Sequence, residues 1–558
     1  MNDWIAFLEH GTLHVNRSVD RFEHDQLLAE NEDFTVVIDG LILNQKALFN
    51  QYQTTDFLQL VLNLRQSQPD DFFHVFRGPF TGLFYDKSSG QAVVFTNQTG
   101  DSAVFYYLGE NLQVFSSNYS QLLGFLKEHQ VPVSLDEKAA HWMLTFGYLI
   151  DDATFANEVK RLRAGKALNL ENGTWTERRY HQFHSDNLQV TEAEAIENID
   201  RLFRQAVRRC FDKDLEYGYT KHLVDMSAGM DSRMVNCVAK AMGYSPITNI
   251  SYSQTGSEEE TLSKAASKHF GNEMIFEALD DHRFVYDIES LAQGNFGTYL
   301  YTGITGGARL LAKLDFTQFG AEQTGQLGDI VIGTFVHTDD LSVHPDAVRL
   351  SHRLPLKYDP NPERFENQDL YALYTRGFMG AMSSWFIRKQ YTYALSPFLD
   401  VDLMAYCYGL PAAMRRDHHL YWKWVERYYP EALEVPTSRK RAPVTGFQKA
   451  MDLGQRAFRK GLKIGRKTAF HLGLTSSRVR KDSSMNPYDY WYDTDPAMRA
   501  FMDTYYQEHI ASLSAYPAVS QEVTQQFHSP SVLEKLMALT VLAMNPLSPT
   551  APSSPAAI

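Results

Sequence analysis

No apolar run in this 558-residue chain reaches the roughly 18–20 residues that a bilayer-spanning helix needs, and Met1-Asn2-Asp3-Trp4 lacks the charged start of a secretion signal. Cysteine is scarce. The three copies, Cys210, Cys237 and Cys407, each sit inside an apolar pattern and share no metal-ligand spacing, which argues for a reduced, cytoplasmic setting. An excess of positive charge is missing too. Lys and Arg number 53 against 67 Asp and Glu, and the formal charge of −14 disfavours general nucleic-acid binding, leaving room only for a local basic patch. No short-period repeat is visible. What is present is ordinary for a globular chain, 44% apolar and 22% charged, and long enough for two or more domains with sizeable cores.

Up to residue 185 the pattern is strand-rich. Thr35–Ile38 and Leu41–Leu43 flank Asp39-Gly40, a candidate hairpin turn, and Gly82–Tyr85, Ala92–Thr96, Val104–Leu108 and Leu112–Phe115 follow as an antiparallel meander. Helical stretches lie at Asp56–Gln66 and Ser120–His129. Polar residues from His181 to Gln189 mark a boundary, so a second domain is expected over 186–450. It opens with Thr191 and Glu194 in a capping-box pattern, ahead of a face made by Ile196, Ile199, Leu202 and Phe203.

The most informative run is Val224-Asp225-Met226-Ser227-Ala228-Gly229-Met230-Asp231-Ser232. A short buried strand enters a tight loop of small residues, and Met234, Val235, Val238 and Met242 then repeat at helical spacing until Gly243. The first-turn N–H groups of such a helix have no internal partners and its dipole favours an anion, so the loop is a phosphate site. Asp231 cannot hold phosphate without a cation, which implies a bridging Mg²⁺. No lysine follows the glycine, so the loop is not of the Walker type. Ile247–Tyr252 and Met274–Glu277 are further strands, with a helix between them capped by Ser257 and Glu260 and stopped at Phe270-Gly271. Alternating strands and helices predict a parallel sheet whose ligands sit at the strands' carboxyl ends.

The loop resembles the Ser-Gly-Gly-x-Asp-Ser pyrophosphate loop of ATP pyrophosphatases, with Ala228 for the first Gly. Over nearly its whole length the chain resembles glutamine-dependent asparagine synthetase of the bacterial type. The matching segments in the second half are Ser251-Tyr252-Ser253 with Ser257–Thr261, Thr324-Gly325-Gln326-Leu327-Gly328-Asp329, Ser396-Pro397-Phe398-Leu399-Asp400, and Lys440 with Gly446. In the first half they are Phe76-Arg77-Gly78-Pro79-Phe80, Phe146-Gly147-Tyr148 and Arg179-Tyr180-His181. The resemblance implies an α+β N-terminal-nucleophile (Ntn-type) glutaminase-like sandwich over 1–185. An α/β ATP-pyrophosphatase (PP-loop, adenine nucleotide α-hydrolase-like) domain is implied over 186–450, while the helical C-terminal extension expected over 451–544 is not explained by the resemblance. It also implies ATP and Mg²⁺ as cofactors and metal-binding roles for Asp231 and Asp329. Ser227, Ala228, Gly229, Met230, Asp231 and Ser232 would meet pyrophosphate, Ile250, Thr324 and Gly325 would contact adenosine, and Lys440 would be the cation over the phosphates.

The departures are chemical. The family's nucleophilic Cys, exposed once Met1 is removed, is replaced by Asn2, and its oxyanion-donating Asn by Asp39. An amide supplies no thiolate and a carboxylate repels a developing oxyanion, so glutamine hydrolysis is not expected. The family's two catalytic Glu residues stand as Gln326 and Tyr393, neither an equivalent base near neutral pH, so aspartate as acceptor is in doubt. The segment from Leu341 to Arg376 is a candidate acceptor pocket. Expected partners are a small-molecule, sugar or peptide carboxylate, an amine donor and a second copy as homodimer, with no nucleic acid and no transmembrane segment.

From Arg456 to Lys481 a basic stretch interleaves with Phe458, Leu462, Ile464, Phe470 and Leu472, an amphipathic helix pattern expected to dock by its apolar side. The cluster Asn486–Tyr492 is expected to pack a helical cap, Val532–Met544 to be a core helix and Asn545–Ile558 to be disordered. Three readings stay open: an ATP-dependent amide ligase without its own glutaminase, an asparagine synthetase fed by free ammonia, and a silent scaffold homologue.

Overall fold

The structure is a computed structural model that describes residues 2–302, 306–333, 340–438, 461–462 and 464–546. Its first part is built on β1 (Asp3–Glu9), β2 (Thr12–Ser18), β3 (Leu27–Glu30), β4 (Phe34–Gly40), β5 (Phe80–Asp86) and β6 (Gln91–Thr96). To these it adds β7 (Phe105–Leu108), β8 (Leu112–Ser116), β9 (Lys160–Arg161), β10 (Lys166–Glu171) and β11 (Thr174–Arg179). They form two antiparallel sheets, ordered β2-β1-β8-β7-β9 and β11-β10-β6-β5-β4-β3. Side chains alternate across each sheet. Trp4, Ala6 and Phe115 from one sheet meet Val37, Leu83 and Leu168 from the other in a shared core. Val36 and Ile38, one residue either side of Val37, face the opposite way, onto the helices α1 (Gln45–Tyr52) and α2 (Phe57–Ser67). Ile5 and Val114 likewise face α3 (Tyr119–Glu128) and α4 (Glu137–Phe146) on the other outer side. The result is helix, sheet, sheet, helix.

Asp39-Gly40 is not a hairpin turn. Both residues continue β4 in register with Thr81 and Phe80 of β5. Gly40 adopts φ 144°, and a Cβ there would stand 2.1 Å from the Pro79 carbonyl, so the glycine serves a close backbone approach rather than a reversal.

The second part follows α5 (Glu192–Glu216), whose predicted capping box is present: Glu194 N–H donates to Thr191 Oγ1 and Thr191 N–H to the Glu194 carboxylate. Then come β12 (Lys221–Asp225), α6 (Asp231–Ala241), β13 (Ile247–Ser253), α7 (Glu258–Phe270), β14 (Glu273–Ala278), β15 (Phe319–Gln323) and β16 (Ala394–Leu395). All five strands run parallel in the order β14-β13-β12-β15-β16. The chain builds outward from β12 in one direction and then in the other, which makes the carboxyl end of β12 the switch point.

The segment from Leu341 to Arg376, the candidate acceptor pocket, reaches the loop after Asp329 at one end, where Arg415 bridges Asp369 and Gly333 O. It straps onto the first part: Leu350 and Ser351 N–H donate to Thr145 O, and Glu363 sits among Arg163, Lys166 and Arg179. Three cations around one carboxylate hold the strap where the charges are half-buried. The helices Pro517–Phe527 and Val532–Met544 also return to α4, with Gln526 donating to Leu144 O and His141 Nδ1 lying 2.9 Å from Glu522. Trp491 is buried against His282, so the Asn486–Tyr492 cluster packs as expected. Asn545, placed in the expected disordered tail, is buried and bonds Ser512; residues 547–558 lie outside the described set. Among the described residues no helix is long and apolar enough to cross a membrane.

Candidate functional site

β12 delivers the Ser227–Met230 loop to the switch point, and Met226 N–H still pairs with Ile250 O before the chain turns. The loop is internally bonded. Ser227 N–H donates to Ser232 Oγ at 2.9 Å, Gly229 N–H donates to Ser227 Oγ, and the two serine hydroxyls bond each other at 2.8 Å. Ala228 N–H donates to the Glu259 carboxylate at 2.9 Å. Burial pushes the Glu259 carboxyl upward, which this N–H opposes. A phosphate arriving here therefore meets the first-turn N–H groups of α6, which no helix satisfies from within, while three loop amides are already engaged.

Asp231 opens α6 and accepts from Tyr421 Oη at 2.7 Å. The loop after β15 is pressed against it. A Cβ on Gly325 would lie 2.2 Å from Ser232 N, and one on Gly328 would lie 2.8 Å from Asp231 Cγ. Only glycine allows that approach, and it brings the Asp329 segment to the Asp231 carboxylate from a strand about a hundred residues away. Leu327 between them holds φ 67°, strain of the kind that collects at functional turns. Among the described residues no group of three or more His, Cys, Asp or Glu gathers as a metal set. Two carboxylates suit Mg²⁺ only with nucleotide oxygens completing its shell, since this ion takes one or two protein carboxylates plus phosphates. The donor chemistry fits that role.

The other sequence candidates divide. Thr324 N–H pairs with Leu395 O, keeping Thr324-Gly325 at the strand end. Ile250 is buried with Leu223, Tyr252 and Leu310. Gln326 is committed: its amide donates to Ala381 O and accepts from Trp385 Nε1, both at 2.6 Å, while Ser396 Oγ donates to its carbonyl. Lys440 lies outside the described residues. The chain leading to it does reach the loop, since Thr437 Oγ1 and Ser438 N–H donate to Ala228 O and Arg233 holds the carbonyls of Ala432 and Pro436.

Tyr393 is not with this group. It precedes β16, at the opposite end of the strand, and points into the first part, where its hydroxyl donates to Asp39 at 3.0 Å and accepts from Asn2 Nδ2 at 3.4 Å. Lys389 Nζ donates to the other Asp39 oxygen at 2.8 Å. Asn2 is itself tied down, accepting from Asp20 and Arg21 N–H and donating to Arg21 O. Burial pushes the Tyr393 phenol well above its usual range. No thiol stands in this network, because Cys210, Cys237 and Cys407 are buried on helices of the second part.

Burial also pushes Asp3, beside Lys389 and Asp39, up to about 6 from 3.8. The folded state thus keeps a proton that the unfolded chain releases, so the contribution of Asp3 to stability is largest below about pH 4 and falls as pH rises towards 6. Asp3→Asn is expected to remove that slope and to raise stability at pH 7.5 by about 2 kcal/mol, with no difference at pH 4. Urea melts at the two pH values check this.

Sequence reading missed a buried quartet one turn from the loop. Arg388 Nη1 donates to Asp225 at 3.1 Å and to Glu322, and Nη2 donates to Tyr252 Oη at 3.2 Å. Burial works against the Arg388 charge, but Glu322 and Asp225 outweigh it and hold the guanidinium well above its usual range. Burial, with Asp225 alongside, pushes Glu322 well above the usual carboxylate range.

Among solved structures the chain is similar to a glutamine phosphoribosylpyrophosphate amidotransferase from B. subtilis complexed with ADP and GMP. That likeness has 9% identity and a TM-score of 0.23 over 50% of this chain and 85% of that one. A second similarity, at 9% identity and a TM-score of 0.21, is to an allosteric regulatory enzyme of purine biosynthesis, over 50% of this chain and 58% of that one. No curated protein matches the chain. Residues 12–181 match the model of the glutamine amidotransferase domain family, a span that holds every strand of the two-sheet sandwich except β1.

Proposed function

We propose that this chain is an ATP-dependent carbon–nitrogen ligase of the asparagine-synthetase type. It adenylates a substrate carboxylate, releases pyrophosphate and transfers an amine, and its amidotransferase domain does not hydrolyse glutamine. The supporting observation is the convergence of the Asp231 and Gly328-Asp329 segments at the carboxyl end of the central strand. In the first step a carboxylate oxygen bonds to the α-phosphorus and the bond to the bridging oxygen of pyrophosphate breaks. In the second, the amine nitrogen bonds to the acyl carbon, AMP leaves, and the amine must shed a proton. Asp231 and Asp329 would hold a Mg²⁺ whose charge offsets that building on pyrophosphate. The first turn of α6 orients the same group through N–H donors. Neither Gln326, bonded to Trp385 and Ala381, nor Tyr393, turned into the other domain, takes the amine proton. An acceptor other than aspartate follows from that.

Pyrophosphate release from ATP, measured with panels of carboxylates and amines, tests the reading. Turnover with aspartate and ammonium would instead identify an ammonia-fed asparagine synthetase. A second reading, a silent scaffold, is favoured by the Glu259 carboxylate on Ala228 N–H. ATP binding that stays undetectable, together with no turnover, would decide for it.

Glutamine incubated with the protein is expected to yield glutamate only at background rate, and Asn2→Cys should not change this, because a carboxylate, Asp39, held by Tyr393 and Lys389, stands where an oxyanion donor is needed. Clear glutamate production by the unaltered chain would end the claim.

A further inference from the structure

The aminolysis step releases one proton, and neither Gln326 nor Tyr393 takes it. Other acids at the carboxyl ends of the parallel strands are engaged as well. Asp231 and Asp329 have the metal role, Glu259 accepts from Ala228 N–H, Asp400 pairs with Arg209 and Asp280 with Lys481. Asp225 differs. It ends β12 two residues before Ser227, so at most about 7 Å of backbone separates it from the phosphate loop. Its side chain is 22% exposed, whereas that of Glu322 is 1% exposed. Sheet register sets the two on one face, since Leu223 pairs with Glu322 and Asp225 lies two residues beyond Leu223.

The two carboxyl groups are held as one unit. Arg388 Nη1 donates to one oxygen of each, and the second oxygens, Asp225 Oδ1 and Glu322 Oε2, are buried with no other donor among the described residues. Glu322 and Asp225 stand within hydrogen-bond reach of each other. Two acids share a single guanidinium, so full ionisation would leave an extra negative charge away from water. One proton between the second oxygens removes that charge and gives each its partner. Tyr252, the other titratable group against Arg388, accepts from Nη2, and burial pushes its phenol up to about 12, so it stays neutral.

We propose that Asp225, backed by Glu322 and Arg388, accepts the proton that the amine sheds as the amide forms. This rests on the ligase reading. As the nitrogen bonds to the acyl carbon, the bond from that carbon to the AMP oxygen breaks, and its electron pair leaves on the phosphate. The N–H proton passes to an Asp225 oxygen. The pair then holds two protons beside Arg388, whose unopposed charge expels one of them to water through the open side of Asp225. Glu322 and Arg388 are positioning residues.

Two half-reactions test the proposal. ATP–pyrophosphate exchange without amine reads adenylation, and amide formation reads both steps. Asp225→Asn keeps an oxygen for Arg388. With the carboxylate and amine that turn over in the panels, its amide formation is expected to fall about 10²–10⁴-fold and its exchange by less than about tenfold. Hydroxylamine is largely unprotonated near neutral pH and needs less help from a base. In place of the amine it should bring hydroxamate formation by the variant to within about tenfold of the parent. Infrared difference spectra near neutral pH, parent minus Asp225→Asn and parent minus Glu322→Gln, should each show the carbonyl band of a protonated carboxyl group. Equal losses of exchange and amide formation would overturn the proposal, as would failure of hydroxylamine to recover the variant or absence of the carboxyl band. Full amide formation by Asp225→Asn would overturn it and leave the ligase reading standing. No exchange by the parent with any carboxylate would overturn both.

Discussion

Asp231→Asn is expected to lower ATP-dependent pyrophosphate release by roughly 10²–10³-fold, the usual cost of removing one fixed charge from a site where charge builds during reaction. The substitution is nearly isosteric. The amide keeps an oxygen for Tyr421 Oη, and the helix start and the glycine contacts are untouched, so the fold should hold. What goes is the negative charge that the proposed Mg²⁺ would face. ATP binding measured with and without Mg²⁺ separates the two roles of the residue: the Mg²⁺-dependent part should vanish and any residual binding should ignore the metal. Normal Mg²⁺-dependent affinity in the variant would show that the metal role is misassigned.

Arg388→Met is expected to destabilise the chain by about 3–5 kcal/mol, because it leaves Glu322 buried without its cation partner. Asp225, with its side chain 22% exposed, contributes less, since water screens it. Combining the change with Glu322→Gln and Asp225→Asn should restore most of the loss, as apolar or neutral replacements of a whole buried ion group often do. Urea unfolding of the single and triple variants reads both effects. A loss under about 1 kcal/mol would mean that the quartet is wet rather than dry.

The parts legible in the sequence are those written locally. The Thr191–Glu194 box and the Ser257 cap each lie within one helical turn, and the Gly271 stop sits at φ 70°, where glycine meets little competition. The alternation of strand and helix around Ser227–Ser232 announced a parallel sheet for the same reason. Other features depend on partners that no local pattern contains. Asp39-Gly40 reads as a turn pair, yet pairing with Thr81 and Phe80 keeps it extended. Glu259 looks like one of three acids at a helix start until it meets an amide 31 residues away, and Arg388 meets Asp225 across 163. The alignment that put Tyr393 beside Gln326 counted residues correctly but not direction, for three residues of extended chain carry Tyr393 back along the strand from Ser396.

That short span from Lys389 to Ser396 has a mechanical consequence. One end grips Asp39 and Asn2 and the other bonds the Gln326 carbonyl, with a turn at Lys389–Thr392 and the two-residue strand β16 between them. The Asp39 network of the first part and the turn that carries Asp329 are thereby tied to one short arm of chain. Expressing either half alone would cut that arm and strand charged groups such as Lys389 and Lys213 without their opposite numbers, Asp39 and Asp25. The two halves stand or fall together.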